Sequence, residues 1–166
     1  RVYGLALRVV RDPAQAQATR DTGRNPRYQR EVDLSDVTAT TIDEAPYEDA
    51  DVVVVAIPSK AFGQTVRTLP GRAPILSLTK GLDPETGERL STLVRDRPVA
   101  VLSGPNMAEE IAAGLPTAAA IASEDGDLAE RLQDEINSLT FRVYVNPDLV
   151  GVELCAAAKN VIALSA

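Results

Sequence analysis

Residues 51–62, DVVVVAIPSKAF, set a continuous β-branched run against a proline and the start of a helix. The run from Asp51 to Ile57 has no polar alternation, which predicts a central parallel strand, buried on both faces and closed by Pro58. Two similar runs follow. Residues 74–78, PILSL, carry Thr79-Lys80-Gly81 at their carboxyl end, and residues 99–102, VAVL, lead into Ser103-Gly104-Pro105-Asn106 and a helical stretch, MAEEIAAG. Residues 117–122 (TAAAIA) and 141–145 (FRVYV) read as a fourth and a fifth strand, with an amphipathic helix at 127–139 between them. Strands alternating with helices at this spacing mean βαβ units, so the expected class is α/β with a mostly parallel sheet.

The two ends of the chain fit this sheet less regularly. Residues 7–10, LRVV, look like a further strand, Pro13 starts its helix, and residues 21–33, with Gly23, Asn25 and Pro26, read as loop. No G-x-G-x-x-G turn occurs anywhere, so the expected first strand and glycine-rich turn are absent or shortened in residues 1–10. Asn146-Pro147-Asp148 punctuates the other end, and a long helix is expected from about Asp148 onward. That helix is too apolar to finish in water, so the chain is expected to be a fragment of a longer protein, the alternative being that the helix docks on another molecule. The expected division is a nucleotide-binding domain over 1–147 and the truncated start of a helical domain over 148–166.

Composition narrows the chemistry. The 166 residues include no histidine and one cysteine, Cys155, which excludes Ser-His-Asp and Cys-His catalysis, histidine-containing metal sites and an intrachain disulfide. A net charge of −7 argues against nucleic acid as a partner. There is no uncharged apolar stretch long enough for a membrane span and no secretory leader, so a cytoplasmic protein is expected. Any general base must be Lys, Asp, Glu, Tyr or Cys. Fourteen of the seventeen positive residues are arginine, and the only lysines are Lys60, Lys80 and Lys159. Arginine serves as surface charge here, whereas only a lysine can be turned into a neutral amine near pH 7.

In an open α/β sheet, ligands bind beyond the carboxyl ends of the strands. Those ends carry Arg11, Pro58-Ser59, Lys80 and Ser103 to Asn106, a set suited to an elongated anion. The turn at Gly104 opens a helix whose free N–H groups could seat a phosphate, or it is an ordinary tight turn. Lys80 either overhangs the crevice or is a surface lysine, and Lys60 is read as solvated. Arg11 stands where an arginine accepts the 2′-phosphate of NADP, although Asp12 beside it argues for NAD. Lys159 has Val152, Cys155, Ala156, Ile162, Ala163 and Ala166 as its helical neighbours. It is therefore either a desolvated amine of lowered pKa or a stem that crosses apolar surface to reach water. Glu153 and Asn160 share a neighbouring face and could orient it.

The segments ADVVVVAIPSKAF (50–62), LTKGLDPETG (78–87), VLSGPNMAEEIAAGLPTAAAIAS (101–123) and GVELCAAAKNVIALSA (151–166) together resemble the bacterial-type NAD(P)-dependent glycerol-3-phosphate dehydrogenases. RDP at 11–13 and NPRY at 25–28 also fit, and the matched segments cover most of the chain in order. The resemblance implies a Rossmann-like domain followed by a helical substrate domain. It also implies interconversion of sn-glycerol 3-phosphate and dihydroxyacetone phosphate with NAD or NADP, for phospholipid synthesis. By the same resemblance, Lys159 is the catalytic base, and Lys80 contacts substrate and cofactor. Gly104 and Asn106 bind substrate, Asn106 standing where serine or threonine is commoner, and Arg11 and Ala108 contact the cofactor. The expected partner is a small phosphate ester, and a homodimer is allowed. The 166 residues alone are expected to be inactive. Hydroxyacid dehydrogenases, or a non-catalytic nucleotide- or partner-binding module, are the competing readings, and TKGLDPETG does not suit the former.

Overall fold

The structure, a computed structural model, describes residues 7–10 and 12–165, without the side chains of residues 7, 8 and 160–165. It divides into two compact units, one up to Pro46 and one from Tyr47. Arg11 and the remnant of a glycine-rich turn expected before Leu7 lie outside the described residues.

In the first unit, β1 (Leu7–Val10) and β2 (Thr38–Thr41) pair in parallel through α1 (Pro13–Thr22). Asp12 caps α1 by accepting the N–H of Ala14 at 3.0 Å, and Pro13 takes the first helical position, where its missing N–H costs nothing. Gly23, at φ 63°, ends the helix in the left-handed conformation that other residues resist. Strand β2 has no counterpart among the expected elements. Its sequence, TATT, has no apolar run to announce it, and the ladder offered by β1 makes it a strand.

The second unit holds β3 (Val53–Val55), α2 (Ser59–Thr68), β4 (Ile75–Ser77), β5 (Val99–Ser103), α3 (Ala108–Ala112), β6 (Thr117–Ser123), α4 (Gly126–Ile136), β7 (Phe141–Val145) and α5 (Leu149–Ser165). A 3-10 turn at Leu90–Leu93 precedes β5. The sheet runs β3-β4-β5-β6-β7, parallel except for β5 against β6. Every strand expected here is present, and the sheet is mostly parallel. The DVVVVAI run, however, is not buried on both faces. It forms the end strand of this sheet, and Val54 is 52% exposed. A β-branched run specifies an extended backbone, but its neighbours decide how much of it is covered.

Helices flank both faces of this sheet. Leu128 and Leu132 of α4 pack on Leu76, Ala100, Leu102, Ala119, Ile121 and Val143. On the other face, Phe62 and Val66 of α2 join Leu90 and Leu93 over Val55 and Ile75, while Leu149 and Val152 of α5 cover Val101 and Ala122. Alternate residues of β5 thus serve opposite layers, Ala100 and Leu102 one way and Val101 the other, as the strand pleat requires.

Where β5 leaves the sheet, its backbone presses on β6. A side-chain carbon at Gly104 would lie 2.6 Å from the carbonyl oxygen of Ala118 and 3.0 Å from Ala119 Cα. Gly126, at the start of α4, faces open space. Gly104→Ala is expected to destabilise the protein by about 1–3 kcal/mol in urea denaturation, because the backbone of β6 cannot yield. Gly126→Ala should be neutral or stabilising by up to about 1 kcal/mol in the same assay.

Candidate active site

The parallel strands β3, β4 and β5 deliver their carboxyl ends to one edge of the sheet, and hydrogen bonds lock those ends together. The hydroxyl of Thr79 donates to Val55 O at 3.3 Å and accepts from Ile57 N–H at 3.3 Å, so the turn after β4 is tied to the turn after β3. Gly81, at φ 116°, then bends the chain close to Ser59 at the start of α2. Between these two constraints stands Lys80. Its Nζ donates to the carbonyl oxygen of Gly104 at 2.9 Å, spanning from β4 to the end of β5.

Gly104 has two tasks at this point. Its missing side chain admits the backbone of β6, and its carbonyl holds the Lys80 ammonium. Asn106 fastens the same turn, its Nδ2 donating to Ala118 O at 3.0 Å. Ala108 begins α3 without a side-chain cap. The helix is only five residues long and carries Glu109 and Glu110 in its first turn, so its dipole is short and already opposed by negative charge. Of the two readings of this turn, a phosphate seat or an ordinary tight turn, its geometry suits the second, because this helix start is a poor anion site by itself. Positive charge at this edge comes from lysine side chains instead.

Lys159 lies on α5 and is exposed among these 166 residues, which is the second of the two positions its helical neighbours allowed. Of its helical neighbours, Val152 is buried, Ala156 half-buried and Cys155 exposed, so this apolar face is not uniformly covered. Burial acts on Lys80 instead. Desolvation holds the Lys80 pKa below the ordinary lysine value, and the positive charge of Lys159 lowers it further. The two ammonium groups are therefore close enough to repel, and among the described residues neither has an ion-pair partner. Lys60 is exposed, as expected of a solvated lysine.

Glu153 does not turn toward Lys159. Its carboxylate is buried against the 3-10 turn, where it accepts from Ser91 N–H at 2.9 Å and from Arg89 Nη1 at 2.9 Å. Nothing in the spacing of GVELCAAAKN pointed to Arg89, because the partners are more than sixty residues apart. The start of α5 is fixed separately by Asp148, whose carboxylate accepts Gly151 N–H at 2.8 Å. No group of His, Cys, Asp or Glu suited to a metal ion occurs among the described residues, and no described helix is long and apolar enough to cross a membrane. A cleft of about 470 Å³ opens at the amino end of β5, lined by Arg95, Pro98, Val99 and Asp125. We place the site at the opposite, carboxyl ends, where the strand-to-helix turns and the lysine pair converge.

Residues 6–129 match a family model described as the N-terminus of NAD-dependent glycerol-3-phosphate dehydrogenase. The glycerol-3-phosphate dehydrogenase (NAD(P)+) of Moorella thermoacetica is 43% identical over 165 residues, covering 94% of this chain and 49% of that protein. The protein of the same name from Ectopseudomonas mendocina is 40% identical over 166 residues, covering 95% and 49%. The crystal structure of a glycerol-3-phosphate dehydrogenase from Coxiella burnetii superposes with a TM-score of 0.88 at 29% identity, over 97% of this chain and 52% of that one. The sheet is thus Rossmann-like. The chain spans about half the length of the curated relatives it matches.

The lowered pKa of Lys80 has a thermodynamic consequence of definite sign. Between the native value and the ordinary lysine value of about 10.4, the unfolded chain binds more protons than the folded one, so stability rises with pH across that alkaline window. Urea denaturation through this range should show that rise, and Lys80→Met should flatten it. An equal slope in both proteins would contradict the assignment.

Proposed function

The chain belongs to the family of NAD-dependent glycerol-3-phosphate dehydrogenase N-terminal regions, and on that premise we propose that the whole protein interconverts sn-glycerol 3-phosphate and dihydroxyacetone phosphate. The observation that carries this reading is the pair Lys80 and Lys159, two ammonium groups close enough to repel, neither with an acidic partner among the described residues. Such a pair repels itself until an anion arrives, and a phosphate ester supplies that anion. The family match spans the TKGLDPETG segment, which favours this reaction over that of the hydroxyacid dehydrogenases.

A nicotinamide cofactor, NAD or NADP, supplies the hydride acceptor or donor when bound. The half-buried Lys80 ammonium suits an anionic part of that cofactor, and Ala108, at the start of α3, is assigned a further cofactor contact. In its neutral amine form Lys159 takes the proton of the C2 hydroxyl as the alcohol is oxidised, and the resulting ammonium returns that proton to the C2 oxygen in reduction. Lys80, held on the Gly104 carbonyl, offers positive charge to the substrate, and Asn106 shapes the same turn. Arg11 is assigned to the 2′-phosphate of NADP, giving a modest preference for that cofactor. Residues 148–166 begin the helical substrate domain, and the remainder of that domain completes the phosphate site. The product feeds glycerophospholipid synthesis in the cytoplasm, in a monomer or a homodimer. The net charge of −7 accords with a small-molecule partner and no nucleic acid.

Full-length protein is expected to oxidise NADPH or NADH when dihydroxyacetone phosphate is added. Lys159→Met should lower kcat by about 10²–10⁴-fold while cofactor affinity is kept, and turnover at the native rate would refute the base. Arg11→Ala should raise KM for NADPH by about tenfold and leave KM for NADH nearly unchanged, consistent with one charge-assisted hydrogen bond lost.

A further inference from the structure

Glu153 stands on α5 six residues before Lys159 and is only 5% exposed. Its Oε1 accepts Ser91 N–H, while Oε2 accepts both Arg89 Nη1 and the Ser91 hydroxyl. A carboxylate withdrawn from water is costly even when paired, and an apolar side chain could fill the same place at less cost. Stability alone is thus a weak reason for it, whereas a directional clamp on the helix is a strong one. The remaining described packing of this helix on the sheet, Leu149 and Val152 over Val101 and Ala122, is apolar and has little directional preference.

Two connections identify what the clamp sets. Leu82, two residues after Lys80, forms an isolated antiparallel bridge with Arg89, and between them Asp83 N–H donates to Glu88 O at 2.9 Å and Gly87 N–H to Asp83 O at 2.8 Å. Residues 82–89 therefore form a closed hairpin that joins the Lys80 turn to Arg89 with little slack. On α5, six residues carry the chain about 9 Å along the axis and about 240° around it, so Glu153 and Lys159 leave the helix on different sides. A rotation of about 20° would carry a side-chain end through about 2 Å. Errors of this size at a reacting atom cost rate heavily.

We propose that Glu153, held by Arg89 and Ser91, is a positioning residue that fixes the rotation of α5 against the Lys80 hairpin and so aims the Lys159 amine at the substrate's C2 oxygen. The catalytic half of this inference rests on the dehydrogenase reading. Its geometric half, that the clamp sets Lys159 against Lys80, does not.

The test uses full-length protein with Glu153→Gln and with Ser91→Ala, which keeps the backbone N–H bond and serves if Glu153→Gln fails to fold. In Glu153→Gln, kcat for dihydroxyacetone phosphate is expected to fall about 10- to 100-fold, with the KM for NADPH within about twofold of the unaltered value; Ser91→Ala should fall less. The second readout is the titration of Lys80, followed by NMR of labelled lysine side chains. Loosening α5 should move Lys159 away and raise the Lys80 pKa toward the ordinary lysine value. In a Lys159→Met background, Glu153→Gln should then leave Lys80 unmoved. A variant with a lower Tm but unchanged kcat and unchanged Lys80 titration would make the ion pair purely structural and overturn the proposal. If the unaltered protein does not turn over dihydroxyacetone phosphate, the functional reading fails. The Lys80 titration then decides the geometric half alone, a shift supporting it and no shift refuting it.

Discussion

The buried carboxylate of Glu153 is the interaction on which the placement of α5 depends. Three donors from two residues, Arg89 and Ser91, converge on it at the start of the 3-10 turn. Removing Glu153 would leave these donors without their shared acceptor, which is more damaging than never having had the pair. These bonds convert a helix packed through a few apolar contacts into one with a defined rotation. The cap from Asp148 fixes the beginning of the same helix, so both its start and its rotation are specified by side-chain oxygens.

The strand ends show the opposite electrostatic policy. Glu153 on α5 is satisfied by Arg89 and Ser91, while Lys80 feels the positive charge of Lys159 and has a backbone carbonyl as its described partner. A folded protein that carries two unneutralised cations in proximity sacrifices some stability at neutral pH, and sites of function are where such sacrifices concentrate. The carbonyl of Gly104 offsets part of the cost and orients the ammonium. The tight approach of β6 holds that carbonyl in place.

Much of this architecture was legible from residue order. The runs at 51–57, 74–78, 99–102, 117–122 and 141–145 all mark strands, because apolar β-branched and alanine-rich stretches between turn residues have few other ways to bury themselves. Strand β2 was not legible, since TATT becomes a strand only through pairing with β1. The antiparallel placement of β6 and the terminal position of β3 in its sheet were equally hidden, for they depend on which strand lies alongside. At the site, Lys80 and Gly104 could be nominated from their places after strands. Their hydrogen bond could not, nor could the shortness of α3, which weakens its start as an anion site.

By itself, the sequence determined the class of fold, the absence of histidine from these 166 residues, and three lysines of which Lys80 follows a strand and Lys159 lies on a helix. Those conclusions follow from composition and from local periodicity, which are properties of neighbouring residues along the chain. Tertiary structure alone decided that Lys80 is partly buried on the Gly104 carbonyl, and that Glu153 answers to Arg89 rather than to the lysine on its own helix. Desolvation and ion pairing act through space over a few ångströms, and residues 89 and 153 become neighbours only when the sheet has gathered its helices.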